Sequence, residues 1–541
     1  MPFLLLLLLA LVCLPESWPR PLWLEGLDYG PEHFALLTWS AMAVMILAAV
    51  QIARRPRAQL LGSFPNREEI YERFRRSRLR HLLALLAIYG LALYAFGWGW
   101  TVRSLGPSMS PDDFLKKFAK NQQSFLQADD LPSELAGQFK QADLNGDGQL
   151  EKQEIEELLQ THPYRQMFPG AELFILAPFL VALIGSWACF YEGEKAFHDT
   201  ASPAVALTPF WSRRTYILFH LRHHLALVFV VIGLLVIQKE LRRLPDFQES
   251  AWFQWLLFGS MPATLACFPW ILRLVLGLKP LPAGPLRERL LATANRLRFR
   301  FSNILLWNTN GAVANAMVAG IFPQVRYVVL TDRLISDLTP DEVEAVFGHE
   351  VGHIKHHHMA FYLTFILISL GTLSFLATWL RIDEWFKSNE DMAIVPMIGI
   401  LGGYIFVVFG FLSRRCERQA DIFGCRTMSC ARADCTGHSS SEELAPRGRG
   451  LCATGIATFI EALEKVARLN GISRSRPGWL QSWQHSTIAH RVEFLQRVRK
   501  DPLIEPRFQR TVRFVKWAVV LVLAAVLLAI WYCQPGRWFP T

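Results

Sequence analysis

The residues Gly348-His-Glu-Val-Gly-His353 carry two histidines four apart with a glutamate beside the first. On a helix, His349 and His353 project from one face and can place two imidazole nitrogens on one zinc ion at about 2.0 to 2.1 Å. Glu350 sits beside such a metal and can take a proton from a zinc-bound water and pass it to a leaving amine. A zinc site of this kind needs a third protein ligand and one open position for water and substrate. Glu417, in Arg414-Arg-Cys-Glu-Arg-Gln-Ala-Asp421, is the best candidate. Asp421 follows it by four residues on the same helix face and can accept the remaining N–H of a zinc-bound histidine, fixing its tautomer. His356 and His358 are read as lying behind the ligands or at the surface, because His349, His353 and Glu417 already complete a three-ligand site.

The elements that position these residues are legible nearby. Leu338-Thr-Pro340 is a helix start: Thr339 caps, Pro340 occupies the first turn, and Asp341 and Glu342 follow. Val325–Thr331 is apolar without clean alternation, which reads as a buried or half-buried strand in a small sheet. The two ligand-bearing segments are separated by two apolar runs, Ala360–Leu380 and Ala393–Leu412, that read as a membrane hairpin.

Of the 541 residues, 52% are hydrophobic, and the mean hydropathy is +0.22, which points to a membrane protein. Further runs of spanning length lie at Phe34–Ala53, Arg80–Trp100, Ala171–Tyr191, Ile217–Ile237, Trp252–Leu278 and Val515–Cys533. The run Phe3–Leu14 is short and lacks a basic flank before it; a cleaved signal and a short extra helix both fit. The net charge of +10 is concentrated in loops between apolar runs, so topology rather than nucleic-acid binding accounts for it. Arg54, Arg55, Arg57, Arg67, Arg73, Arg75, Arg76, Arg78 and Arg80 make one loop cytosolic by the positive-inside rule. Alternation then puts 101–170 outside and 279–359 and 413–514 inside, so both halves of the zinc site face the cytosol.

Together these residues resemble the gluzincin family of membrane proteases that includes HtpX and the type I CAAX prenyl protease. The resemblance covers roughly Asn315–Val498: Asn315-Ala316, the strand-like Val325–Thr331, Gly348-His-Glu-Val-Gly-His353, Glu417-Arg-Gln-Ala-Asp421 and His485-Ser-Thr-Ile-Ala-His-Arg491. It implies one Zn2+ per chain, polypeptide substrates, and a sheet-edge strand near Val325–Thr331 that holds the substrate backbone. It also implies that His485 and Arg491 steady the substrate carbonyl as it becomes an oxyanion. Ser486 departs from the family's proline after that histidine, and His490 competes with His485. Five spans before the catalytic helix and two between it and Glu417 resemble the CAAX-type architecture of seven helices around a chamber, and Val515–Cys533 is additional.

Two features lie outside that pattern. Asp143-Leu-Asn-Gly-Asp-Gly-Gln-Leu-Glu-Lys-Gln-Glu154 fits a twelve-residue EF-hand loop: Asp143, Asn145, Asp147, the Gln149 carbonyl and a bidentate Glu154 would hold Ca2+, with Gly148 at the sharp turn and Glu151 direct or through water. Its flanks Ser133–Ala142 and Lys152–Gln160 read as helices, and Ser110–Asp130 contains no second loop. Cys425, Cys430, Cys435 and Cys452, with His438, offer a possible second zinc site, although no CxxC pair occurs and a reducing compartment favours reduced thiols.

The fold class expected is a predominantly α-helical multi-pass membrane protein with a gluzincin-type catalytic domain, a small β-sheet and an EF-hand insertion. Its divisions are a leader-like 1–33, two spans in 34–100, an extracytosolic 101–170, three spans in 171–278, the peptidase domain 279–514 interrupted by the hairpin 360–412, and a last span in 515–541. The function read is a zinc endopeptidase acting on membrane-associated polypeptides, in quality control or CAAX-type processing. The alternative from another class is an inert calcium-binding membrane scaffold or transporter; the paired repeats and intramembrane charges of transporters are not evident.

Overall fold

Long apolar stretches with few breakers fold as long helices, and the computed structural model is accordingly helical with one small mixed sheet. It describes residues 18, 29–62, 66–119, 124–200, 210–242, 251–379, 399–400, 402–430, 435, 451–472, 474 and 486–533. In chain order the helices that frame the site are α1 Pro31–Leu60, α2 Arg67–Tyr94, α3 Ala171–Asp199, α4 Arg213–Arg242, α5 Ala251–Leu276, α6 Pro285–Arg296, α7 Pro340–Lys355, α8 His358–Trp379, α9 Gly410–Thr427, α10 Ala453–Leu469, α11 Ile488–Lys500 and α12 Ile504–Cys533. By length and composition, α1 and α3 can cross a membrane. They pack closely through small residues: a Cβ on Gly185 would come within 3.0 Å of Ile46, and one on Gly193 within 2.6 Å of Phe74 on α2. The expected span Arg80–Trp100 is corrected, because α2 ends at Tyr94 and Gly97, at φ +71°, turns the chain into a separate helix, Trp98–Arg103.

The sheet runs β1 Lys279–Pro280, β2 Asn303–Trp307, β3 Ala316–Ala319 and β4 Tyr327–Thr331, in the order β1-β2-β4-β3. β2 and β4 are parallel; the outer pairs are antiparallel. The buried strand expected at Val325–Thr331 is found, with its start moved to Tyr327. Pro323–Val325 is a 3-10 turn, and β4 is buried throughout between β2 and β3. A strand buried on both faces has no reason to alternate. The sheet's edges are therefore β1 and β3, and β3 is the edge strand beside β4.

Thr339 and Glu342 start α7 with a reciprocal cap: Thr339 Oγ1 accepts the Glu342 N–H at 3.3 Å, and Glu342 accepts the Thr339 N–H at 2.7 Å. A buried carboxylate then fastens α7 to its neighbours. Glu344 accepts from Arg289 Nε at 2.6 Å, Thr293 Oγ1 at 2.6 Å and Arg296 Nη2 at 2.9 Å. Arg296 also donates to the Thr427 carbonyl at 2.9 Å, so one side chain joins α6, α7 and the C-terminal end of α9.

α7 and α9 meet through glycines. A Cβ on Gly348 would fall 2.3 Å from Thr427 Oγ1, one on Gly352 2.8 Å from Phe423 Cβ and 3.2 Å from Ala420 Cα, and one on Gly424 3.0 Å from the Ala345 carbonyl. The helices thus approach more closely than any larger residue permits.

In the insertion, the expected helix Ser133–Ala142 is two short helices, Ser133–Ala136 and Phe139–Ala142, while Lys152–Thr161 is continuous. Leu150 pairs antiparallel with Leu126, with N–H to carbonyl distances of 2.8 and 3.0 Å. The loop therefore has a single bridge partner, Leu126, in a stretch that carries no recognisable ligands.

Gly352→Ala is expected to wedge α7 away from α9 and to cost about 1–3 kcal/mol. A lower thermal midpoint in detergent, with zinc loss at a lower temperature than in wild type, is the result to look for; an unchanged midpoint would show that the contact tolerates a methyl group.

Candidate metal centre

α7 presents His349 and His353 toward α9, and α9 answers with Glu417. Their ligand atoms all lie within 4.8 Å of one another. The two Nε2 atoms are 3.2 Å apart, and Glu417 oxygens stand 3.6 Å from His353 Nε2 and 3.9 Å from His349 Nε2. Ligands about 2.0–2.1 Å from a tetrahedral zinc are separated by roughly 3.3–3.4 Å. The three residues fit that ion closely.

The outer nitrogens of both rings are turned to other partners, which leaves the Nε2 atoms facing the centre. His349 Nδ1 lies 3.0 Å from Asp421 Oδ1. His353 Nδ1 lies 2.9 Å from His358 Nδ1, and His358 Nε2 lies 3.0 Å from Gln419 Oε1. Lys516 Nζ donates to the same Gln419 oxygen at 3.1 Å. With His353 carrying its proton on Nδ1, each contact in this relay has one donor and one acceptor. The Phe459 ring of α10 stacks on His349 at 5.7 Å between centroids.

Arg491, on α11, closes the back of the site. Its Nε donates to Asp421 Oδ2 at 2.9 Å, its Nη2 donates to Oδ1, and its Nη1 lies 3.6 Å from Glu417. The resemblance implies an oxyanion role for Arg491; in the structure this guanidinium is buried and hydrogen-bonded to Asp421. His485 lies outside the described residues. Ser486 has φ +65°, a conformation that a proline ring, locked near −65°, does not reach. His490 is exposed, and its N–H donates to the Thr487 cap at 3.1 Å.

Electrostatics follow from this packing. Burial alone depresses the basicity of His349, but Asp421 first, then Glu417 and Glu350, reverse the effect and raise its pKa above the ordinary histidine value. Burial pushes the Asp421 carboxyl up, yet Arg491 and then His349 hold it below the usual carboxylate value. Arg491 is raised despite burial, by Asp421 first and then by Glu417 and Glu350. Glu350 therefore stands within electrostatic reach of both His349 and Arg491.

Reading the sequence placed His349, His353, Glu417 and Asp421, which the fold brings together. It read His358 as lying behind the ligands or at the surface, and the fold sets it behind His353; it did not find Gln419, which has no spacing that marks it. In the Asp143–Glu154 loop, Asp143 accepts the Gly146 and Gly148 N–H groups at 2.8 and 3.0 Å. Asn145 accepts from the Asp147 N–H, and Asp147 from the Gln149 N–H. Glu154 reaches back to the Leu144, Asn145 and Glu151 N–H groups at 2.9, 3.3 and 3.0 Å. Of the four cysteines considered for a second metal, Cys430, Cys435 and Cys452 come together, whereas Cys425 packs into the apolar cluster of Ile422, Ile456 and Phe459.

Comparison with known proteins agrees with the constellation. Residues 280–493 match the family model described as peptidase family M48. A probable CAAX prenyl protease 1 of Schizosaccharomyces pombe is 28% identical over 211 residues, covering 36% of this chain and 44% of that protein. A protease HtpX homolog 2 of Sulfurisphaera tokodaii is 32% identical over 108 residues, 18% of this chain and 32% of the relative. The chain thus spans less than half the length of these curated relatives. The crystal structure of S. mikatae Ste24p aligns with 85% of this chain and 98% of its own at 14% identity and a TM-score of 0.43.

Asp421→Asn is expected to weaken zinc binding about 10–100-fold, read by competition with a chromophoric chelator. Asp421 carries a depressed folded-state pKa, so its contribution to stability is complete above the ordinary carboxylate pKa and is lost as pH falls through its own lower value. In zinc-stripped protein, the acid side of the stability profile should flatten in this variant; a profile identical to wild type would remove Asp421 from the account.

Proposed function

We propose that this chain, whose residues 280–493 match the family model described as peptidase family M48 and resemble HtpX and CAAX prenyl proteases, is a membrane-embedded zinc endopeptidase. Its substrates are membrane-associated polypeptides, met in quality control or CAAX-type processing. The observation that carries this reading is the pair of Nε2 atoms 3.2 Å apart beside the Glu417 carboxylate, each ring oriented from behind.

When bound, zinc supplies Lewis acidity, polarising the scissile carbonyl and making water a nucleophile near neutral pH. Glu350 accepts the proton of the attacking water and delivers it to the leaving amine. Asp421, held by Arg491, orients His349; Gln419, through His358, orients His353. Arg491 acts through Asp421, so we assign it to positioning, and His485 keeps the oxyanion role that the resemblance implies. The outer edge of β3, beside α7, is the place for an extended substrate backbone to add as a further strand. Recognition through main-chain hydrogen bonds suits a protease of broad sequence tolerance.

Apolar exposure supports the bilayer: Leu36, Val44 and Leu47 on α1, and Phe514, Trp517, Leu521 and Leu528 on α12, are all exposed. From the loop charges we read the metal centre as facing the cytosol and the Asp143–Glu154 loop as facing the opposite side. We assign Ca2+ to that loop, with Asp143, Asn145, Asp147, the Gln149 carbonyl and Glu154 as ligands. Calcium should raise the thermal midpoint of the detergent-solubilised chain, and Glu154→Gln should abolish the rise; an equal rise in both would locate calcium elsewhere.

Glu350→Gln is expected to retain zinc while casein cleavage falls by about 10²–10⁴-fold. Cleavage at the wild-type rate by this variant would refute the mechanism.

A further inference from the structure

A second group of ligating side chains lies where the helix carrying Glu417 ends. Cys430 and Cys435, with four residues between them, meet Cys452, and the three Sγ atoms lie within 4.8 Å of one another. The three residues are 2%, 8% and 1% exposed and form a cluster of their own. Cys430 follows the last turn of α9, and Cys452 is the N-cap of α10.

The surrounding backbone is arranged around these sulfurs. Cys452 Sγ accepts the Gly455 N–H at 3.2 Å, a helix N-terminal contact that favours thiolate over thiol. Ser429 Oγ accepts the Cys452 N–H at 3.1 Å and donates to the Cys425 carbonyl at 2.8 Å, linking the end of α9 to the start of α10. Gly455 permits that approach: a Cβ there would lie 2.4 Å from Ser429 Oγ and 2.6 Å from the Cys425 carbonyl. A cation bound there would take the three sulfurs as thiolates, releasing their protons and neutralising the charge out of water.

We propose that Cys430, Cys435 and Cys452 bind a structural zinc ion, separate from the centre at His349, His353 and Glu417. Thiolates about 2.3 Å from a tetrahedral zinc lie roughly 3.8 Å apart, so the cluster needs to contract by about 1 Å at most. Four intervening residues between Cys430 and Cys435 fall within the spacing that structural zinc pairs use. The trio fills three of the four tetrahedral positions. The ion clamps the end of α9, which carries Glu417 and Asp421, to α10, whose Phe459 stacks on His349. It therefore steadies the first centre without touching it, and its binding does not depend on the peptidase reading.

The test uses the full chain in detergent under reducing conditions. Zinc content by elemental mass spectrometry should be two per chain in wild type, one in His349→Ala/His353→Ala and one in Cys430→Ser/Cys435→Ser/Cys452→Ser. Cobalt added to zinc-stripped His349→Ala/His353→Ala should give intense sulfur-to-cobalt charge-transfer bands in the near ultraviolet, weakened by adding Cys435→Ser alone. That cobalt measurement stands even where the triple serine variant fails to fold. Loss of all zinc from the double histidine variant with no cobalt–thiolate band would overturn the proposal, as would a disulfide between two of the three cysteines in the protein as isolated.

Discussion

The close contact between α7 and α9 is the constraint on which the rest depends. A zinc site built from two helices works only if the helix carrying His349 and His353 and the helix carrying Glu417 bring their ligand atoms to within a few ångströms. Gly348, Gly352 and Gly424 remove the side chains that would hold them apart. Glycine inside a helix costs about 0.5–1 kcal/mol relative to alanine. The loss is offset by the packing and hydrogen bonds made at short range, including the Glu344 contacts to Arg289, Thr293 and Arg296.

Outside that contact, the structure holds each ligand from behind. Asp421 and Arg491 form a buried ion pair whose geometry is paired and hydrogen-bonded on both sides, the condition under which buried charge is tolerated. The relay from His353 through His358 to Gln419 and Lys516 extends this support to α8 and α12. The centre thus draws on elements from well beyond the His-Glu helix, including α12. The cysteine cluster continues the same logic at the far end of α9.

Much of the site was legible in the sequence because local rules govern it. Thr339-Pro340 announces α7, and a spacing of four puts His349 over His353 and Glu417 over Asp421. The remainder was hidden because it depends on tertiary neighbours. The apolar run marks Tyr327–Thr331 as a buried strand, but nothing local tells that Ala316–Ala319 is the edge beside it, or that Leu126 pairs with Leu150. Arg491 was legible as a site residue through resemblance, yet its engagement with Asp421 emerges only from the packing of α11 on α9. Cysteine spacing alone could not separate Cys425, which fills core, from the three thiols that converge.

The most direct test of the central claim is X-ray absorption at the zinc edge of protein carrying Cys430→Ser, Cys435→Ser and Cys452→Ser. The account predicts a nitrogen and oxygen shell at about 2.0–2.1 Å with the multiple scattering of two imidazoles. A spectrum lacking imidazole scattering, or folded protein containing no zinc, would contradict the assignment of His349, His353 and Glu417.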